Sequence, residues 1–311
     1  MGSFIRSGAL GSAWRRRGGL VAVGAVAVAA LAGAAFERVG AHAIVDAPNA
    51  ERAVPPPGPG ERRVAVGPPL ATLSVAVDEP RGTPRATVFV LHGIRDGKEH
   101  MLGWSARLVA AGYRVVRVDS RGHGRSTGRW LSYGVIEACD LAQLVDALGV
   151  RPPIVAMGMS YGAATAIEWA GRDPRVEAAV AVAPFSSLRE VVPVYVPRFV
   201  PAIGRLVPGW LVQRTVDRAG RLGGFDPDAA SPLATIARAR RVLIVHGRAD
   251  DFVPLAQSES LAAPRPIASA CSRSTARPTR RSPATRAGGR RCSPSSTSRA
   301  ERRGNYRRSR R

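Results

Sequence analysis

The sequence predicts an α/β fold: a mostly parallel, doubly wound sheet covered by helices on both faces and carrying a small helical cap. Three observations point to it. Short Val-rich runs such as "ATVFVLHG" (86–93) and "PIVAMGMS" (153–160) are continuously apolar rather than alternating, the mark of strands buried on both faces. These runs alternate with longer stretches of helical spacing, and strand–helix–strand alternation implies parallel strands. The rhythm breaks at 185–240, where Pro193, Pro197, Pro201, Pro208 and Trp210 predict an inserted cap. Its apolar side chains either line a substrate pocket or simply pack.

Residues 1–17 are basic. "WRRRGG" (14–19) leads into an apolar run, 18–36, of about 19 residues with no charge until Glu37, near the length that crosses a bilayer as a helix. As a signal anchor it would keep the N-terminus in the cytoplasm and the body outside. Its small residues and "AHA" (41–43) also fit a cleaved signal peptide, and the paired arginines allow a twin-arginine export signal. A buried soluble helix fits least, because the run has no polar face. Residues 37–63, with "APNAERAVPPPGPGERR" (47–63), read as a Pro/Gly-rich linker. The folded domain is expected over 64–262. Strands are expected at 71–77, 86–93, 113–122, 153–160, 176–184 and 241–247. Helices are expected at 101–112 and 134–149, each closed by glycine, and at 161–171.

The formal charge of +23 suggests nucleic acid or an anionic membrane as partner, but it is unevenly spread. From Arg265 to Arg311 there are 15 arginines against one acid, Glu301, so this tail supplies 14 of the 23 net charges. The three cysteines, Cys139, Cys271 and Cys292, have neither metal-site nor disulfide-framework spacing. Cys139 lies in an apolar helical pattern and is expected to be a buried free thiol.

The chemistry gathers where strands end. Gly158-Met159-Ser160-Tyr161-Gly162 matches G-x-S-x-G, with an apolar strand running in and a helix running out. A sharp strand-to-helix turn exposes the serine, the glycines allow close backbone approach, and the helix N-terminus favours developing negative charge. The plainer alternative is that Ser160 only caps the helix.

At this point the chain resembles the α/β-hydrolase family, and in particular its serine aminopeptidase-like and prolyl-oligopeptidase-like members, which include membrane-anchored bacterial hydrolases. The resemblance covers about 70–262 and rests on four motifs in the family's order: "LHGIR" (91–95), "DSRGHGRSTG" (119–128), the serine elbow, and "HGRADDFVP" (246–254). It implies that Ser160 is the nucleophile and that the Ile94 and Tyr161 backbone N–H groups form the oxyanion hole. It also implies that Asp250, rather than Asp251, is the triad acid, and that the glycine loop at 119–128 is mostly structural. No cofactor or metal is implied, and the substrate would be a small molecule, lipid or peptide carrying an ester, thioester or amide. The family order Ser, Asp, His then requires a base after Asp250. There is none: the histidines are His42, His92, His100, His123 and His246. His92 and His246 are expected to shape loops.

The place where that histidine belongs is anomalous. Residues 263–311 are rich in Arg, Pro, Ser and Ala, with no helical period and no strand, where the resemblance calls for one more strand and helix. Such text is what a GC-rich gene yields out of frame. With CGN arginine codons, reading 275–287 from the third base of each codon permits Gly-Ala-Thr-His-Ala-Ala-Ile-Ala-Gly-Asp-Ala. That histidine spans Pro278 and Thr279, some 28 positions after Asp250. Alternatively the tail is a genuine basic arm for lipid or nucleic acid. Nucleic acid is not expected, since Tyr306 is the tail's single aromatic residue and the body is expected outside the cytoplasm. The sequence thus leaves two main readings, an active serine hydrolase and a catalytically dead relic or binding protein.

Overall fold

Continuous Val-rich strands need partners on both sides, and the computed structural model provides them in a seven-stranded sheet of order β1-β2-β4-β3-β5-β6-β7. The structure describes residues 8–50 and 52–263, with only the helical backbone for 8–23 and 25, and all of these lie in one unit, Met1–Ala276. The tail 264–311, and with it the out-of-frame reading, lies outside the described residues. The strands are β1 (Glu61–Val66), β2 (Ala71–Asp78), β3 (Thr87–Leu91), β4 (Arg114–Asp119), β5 (Ile154–Met159), β6 (Val176–Val182) and β7 (Val242–Val245). β2 is antiparallel to both β1 and β4, and all other pairings are parallel.

The helices are α1 (Gly8–Val45), α2 (Leu102–Ala110), α3 (Val135–Ala147), α4 (Tyr161–Arg172), α5 (Leu188–Phe199), α6 (Gly209–Gly223), α7 (Pro232–Thr235) and α8 (Leu255–Ala262). The main core lies under the central strands, where Trp169 of α4 meets Phe89 of β3 edge-on, with ring centroids 5.1 Å apart. A smaller core of Val88, Val90, Met101, Val115 and Met157 covers the other face.

The structure departs from the sequence reading in two places. Residues 37–63 are not simply linker: α1 runs on to Val45, and β1 begins at Glu61. The reason is packing. Glu37, Ala41 and Val45 recur on one face of α1 and are buried, Ala41 and Val45 against Ala219 of α6, while Glu37 pairs with Arg214 at 2.7 Å. Among the described residues the stretch long and apolar enough to cross a membrane is Val26–Val45, which overlaps the expected 18–36. Cys139 is an exposed free thiol rather than a buried one. The buried face of α3 carries Glu137, Ala138, Asp140, Leu141, Leu144 and Val145, and helical rotation turns residue 139 to solvent.

Among the described residues no strand follows β7, which pairs only with β6, in the register Val180↔Leu243. Leu243 on this edge is 37% exposed.

Candidate active site

Parallel strands in register deliver their following loops to one edge of a sheet, where such folds place their chemistry. Leu91 of β3 pairs with Gly158 of β5, Met159 with Val182 of β6, and Val182 with Val245 of β7. The four loops that follow carry Ile94, Ser160, Ala183 and Asp250.

Ser160 has φ 50 and ψ −111, a conformation that costs a non-glycine residue about 1–3 kcal/mol. Its neighbours enforce it. Its N–H donates to the Val182 carbonyl at 2.8 Å, and its carbonyl accepts from the Ala164 N–H at 3.0 Å as the first bond of α4. A Cβ on Gly158 would overlap the Gly162 carbonyl. A Cβ on Gly162 would stand 2.5 Å from the Leu91 carbonyl oxygen and 2.6 Å from that of His92. Both glycines are thus required by close backbone approach, and the second brings the β3 loop against the elbow.

Tyr161 opens α4, and the first amides of a helix have no intrahelical acceptor. Its ring is buried, and its hydroxyl donates to Glu137 Oε1 at 2.7 Å. Glu137 also accepts from the Ser132 and Gly134 N–H groups, each at 2.9 Å. Burial and the Glu137 charge push the Tyr161 phenol well above its ordinary value, so it stays a neutral donor. Glu137 was not singled out from sequence. Its signal was the spacing Gly134-x-x-Glu137 at the head of α3, where a glutamate reaches back to the N-cap amide.

Ile94 sits in the turn after β3, next to Arg95 at φ 60. The far end of that turn is tied down by Lys98. Its N–H donates to Asp119 Oδ1 at 2.7 Å, and its buried ammonium meets Asp119 Oδ2 at 2.8 Å, Glu61 Oε1 at 3.1 Å and Ser74 Oγ at 3.2 Å. The glycine loop packs on the same carboxylate: Gly124 has φ 51, and a Cβ there would overlap Asp119.

Asp250 lies in the loop after β7. Its Oδ1 accepts from the Phe252 N–H at 2.8 Å and the Val253 N–H at 3.0 Å, and its Oδ2 is 3.8 Å from His246 Nε2. Asp251 is exposed.

Among the described residues no histidine hydrogen-bonds Ser160, and each has other attachments. His92 is fully buried, contacts the Gly93 carbonyl through Nδ1 at 2.7 Å, and accepts the Ser120 N–H at Nε2 at 3.0 Å. Its imidazole is held below its ordinary range by burial. His246 is bound by Ser258 and the Val253 carbonyl. His42 pairs with Asp46 and His100 with Asp96. His123 contacts the Arg121 carbonyl through Nδ1 at 3.0 Å and leaves Nε2 unpaired. Burial, then the neighbouring His92, lower it to about 3, too weak a base to activate a hydroxyl near neutral pH. Among the described residues no group of three or more His, Cys, Asp or Glu could hold a metal ion.

A family model described as serine aminopeptidase, S33, matches residues 82–223, a span that holds both the Ile94 turn and the serine elbow. The chain has the α/β-hydrolase fold. The chain is 32% identical over 190 residues to YqkD, an uncharacterised protein of Bacillus subtilis (strain 168), a match covering 58% of this chain and 60% of that one. Over 79 residues it is 40% identical to human ABHD14B, provisionally named a protein-lysine deacylase, covering 24% of this chain and 38% of that one. The chain thus spans less than two thirds of the length of either curated relative. The fold is that of the Pyrococcus furiosus esterase Pf2001, with a TM-score of 0.52 at 24% identity over 71% of this chain and 83% of that one.

Proposed function

We propose that this protein is a serine hydrolase of the α/β-hydrolase family that cleaves an ester, thioester or amide carbonyl, on a small molecule, lipid or peptide, and that α1 anchors it in a membrane with the domain outside the cytoplasm. The observation that carries the chemistry is the strained backbone of Ser160. Strain held by two close-packed glycines is retained where it presents a nucleophile.

In the proposed reaction Ser160 Oγ attacks the carbonyl carbon while a histidine takes its proton. The tetrahedral oxyanion accepts from the Ile94 and Tyr161 N–H groups, each worth about 3 kcal/mol. Asp250 orients the histidine, which then protonates the leaving group. Water, deprotonated by the same histidine, releases the acyl group from Ser160. The chain as written carries no histidine after Asp250. The proposal therefore includes a reading-frame shift within 263–311 that hides the base. The second reading, a fold that binds without turnover, draws support from the five histidines, all otherwise engaged or too weak.

The test begins with resequencing the gene across codons 255–311 and weighing the intact protein, followed by hydrolysis of p-nitrophenyl esters. A restored histidine near position 279 should give turnover that Ser160→Ala abolishes. The chain as written should be slower by about 10⁴-fold or more. Turnover that survives Ser160→Ala would refute this site. A confirmed sequence with no serine-dependent turnover would favour the binding reading.

A further inference from the structure

We infer that the tip of the cap, Phe199–Trp210, is a membrane-interface surface that seats in the headgroup layer of the bilayer crossed by α1; this rests on the anchor reading above. Phe199, Ile203, Leu206 and Trp210 are between 54 and 79% exposed, an unusual run of large apolar side chains facing solvent.

The direction of α1 says what covers them. Pairings between α1 and α6 advance together along both helices. A Cβ on Gly33 would stand 4.0 Å from Leu211, Glu37 pairs with Arg214, a Cβ on Gly40 would stand 2.7 Å from Thr215, and Ala41 and Val45 cluster with Ala219. The helices therefore run parallel, and α1 residues before Gly33 extend beyond the N-terminus of α6, where the apolar tip lies. The apolar run begins after Arg17 and ends at Glu37, and about 20 helical residues span the ~30 Å of bilayer hydrocarbon. With Arg17 at one boundary, the other falls beside Leu211 and Arg214. Trp210 and the preceding loop then lie at headgroup depth, where tryptophan is favoured.

The charge pattern agrees. From Val191 to Gln213 the sequence has Arg198 and Arg205, both exposed, and no acid, which suits anionic headgroups. The surface also reaches the site: the Arg198 guanidinium lies 5.2 Å from the ring centroid of Phe252, two residues from Asp250. Phe252 is itself 72% exposed. A seated tip would bring this side of the site toward the bilayer surface.

The test uses the full chain with Cys139, Cys271 and Cys292 replaced by serine. Single cysteines at Leu206, Phe199, Val28 or Leu243 carry an environment-sensitive fluorophore. The protein is reconstituted into vesicles of equimolar phosphatidylcholine and phosphatidylglycerol, with or without nitroxide-labelled lipid. The label at 28 reports the anchor, those at 199 and 206 the tip, and that at 243 a remote surface. Blue-shifted emission and loss of most fluorescence to the nitroxide at 28, 199 and 206, with neither at 243, is the expected result. Quenching at 28 but not at 199 and 206 would overturn the tip while leaving the anchor standing. Quenching at 199 and 206 but not at 28 would overturn the anchor, and with it the α1 crossing from which the depth of the tip is argued. No quenching at any of the three would overturn both.

Discussion

At Ser160 two opposing terms can be weighed. Its φ of 50 and ψ of −111 suit glycine, so Ser160→Gly should recover about 1–3 kcal/mol of strain. The glycine also gives the unfolded chain more freedom, which returns about 0.5–1 kcal/mol. The variant should be more stable by about 1 kcal/mol in urea unfolding, and inactive wherever the serine is the nucleophile. A loss of stability would mean that the hydroxyl, not the backbone, holds the turn. Ser160, Gly158 and Gly162 were legible because a turn between a strand and a helix demands those residue types in that order. Glu137 left only the Gly134-x-x-Glu137 spacing as a signal, and Lys98 left none, since a charged residue reads as solvated until distant partners such as Ser74 and Asp119 are known.

At the scale of elements, the strands buried on both faces were read to within a few residues, because their burial is written into consecutive apolar positions. β1 was missed because "ERRVAV" is half charged and follows a Pro/Gly-rich stretch. Its anchor is Glu61. Burial alone would raise this carboxyl, but the Gly58 N–H, Lys98 and Arg125 outweigh it and hold it at about 2. A carboxyl depressed in the folded state contributes stability above its unfolded value, near 4.5, and loses it as pH falls through the folded value. Urea unfolding of Glu61→Gln against the parent should show the largest difference above pH 5, shrinking toward pH 2. The opposite edge reads differently. Leu243 faces outward on β7, so Leu243→Lys should change stability by less than about 0.5 kcal/mol in the chain as written. In a chain whose restored frame covers that edge, the same change should cost about 2 kcal/mol or more. Equal effects in both would mean that the restored segment lies elsewhere.

For the whole molecule, α1 is the proposed tether as well as a structural helix, and truncation should separate the two. Removing 1–32 leaves the pairings to α6 from Gly33 onward and should give a folded, soluble protein. Removing 1–45 strips Ala41, Ile44 and Val45 from Ala219, Leu222 and Phe225, about 3 kcal/mol of apolar burial. That should lower Tm by about 10 °C in a thermal melt. Equal melting of the two truncations would show the α1–α6 contact to be dispensable. Sequence could not reveal this double role, because the charges at Glu37 and Arg38 look like the end of a membrane segment while the helix continues.

The pinned turn has a consequence for chemical labelling. Lys98 is the chain's only lysine, and it is fully buried. In the native fold the Lys98 ammonium is closed to an amine-reactive acetylating reagent. Every acetyl group later found at position 98 records one molecule that opened. Intact mass after pulses of increasing length therefore counts opening events at a single position, without mutation or added dye. Its rate should rise with urea in step with global unfolding.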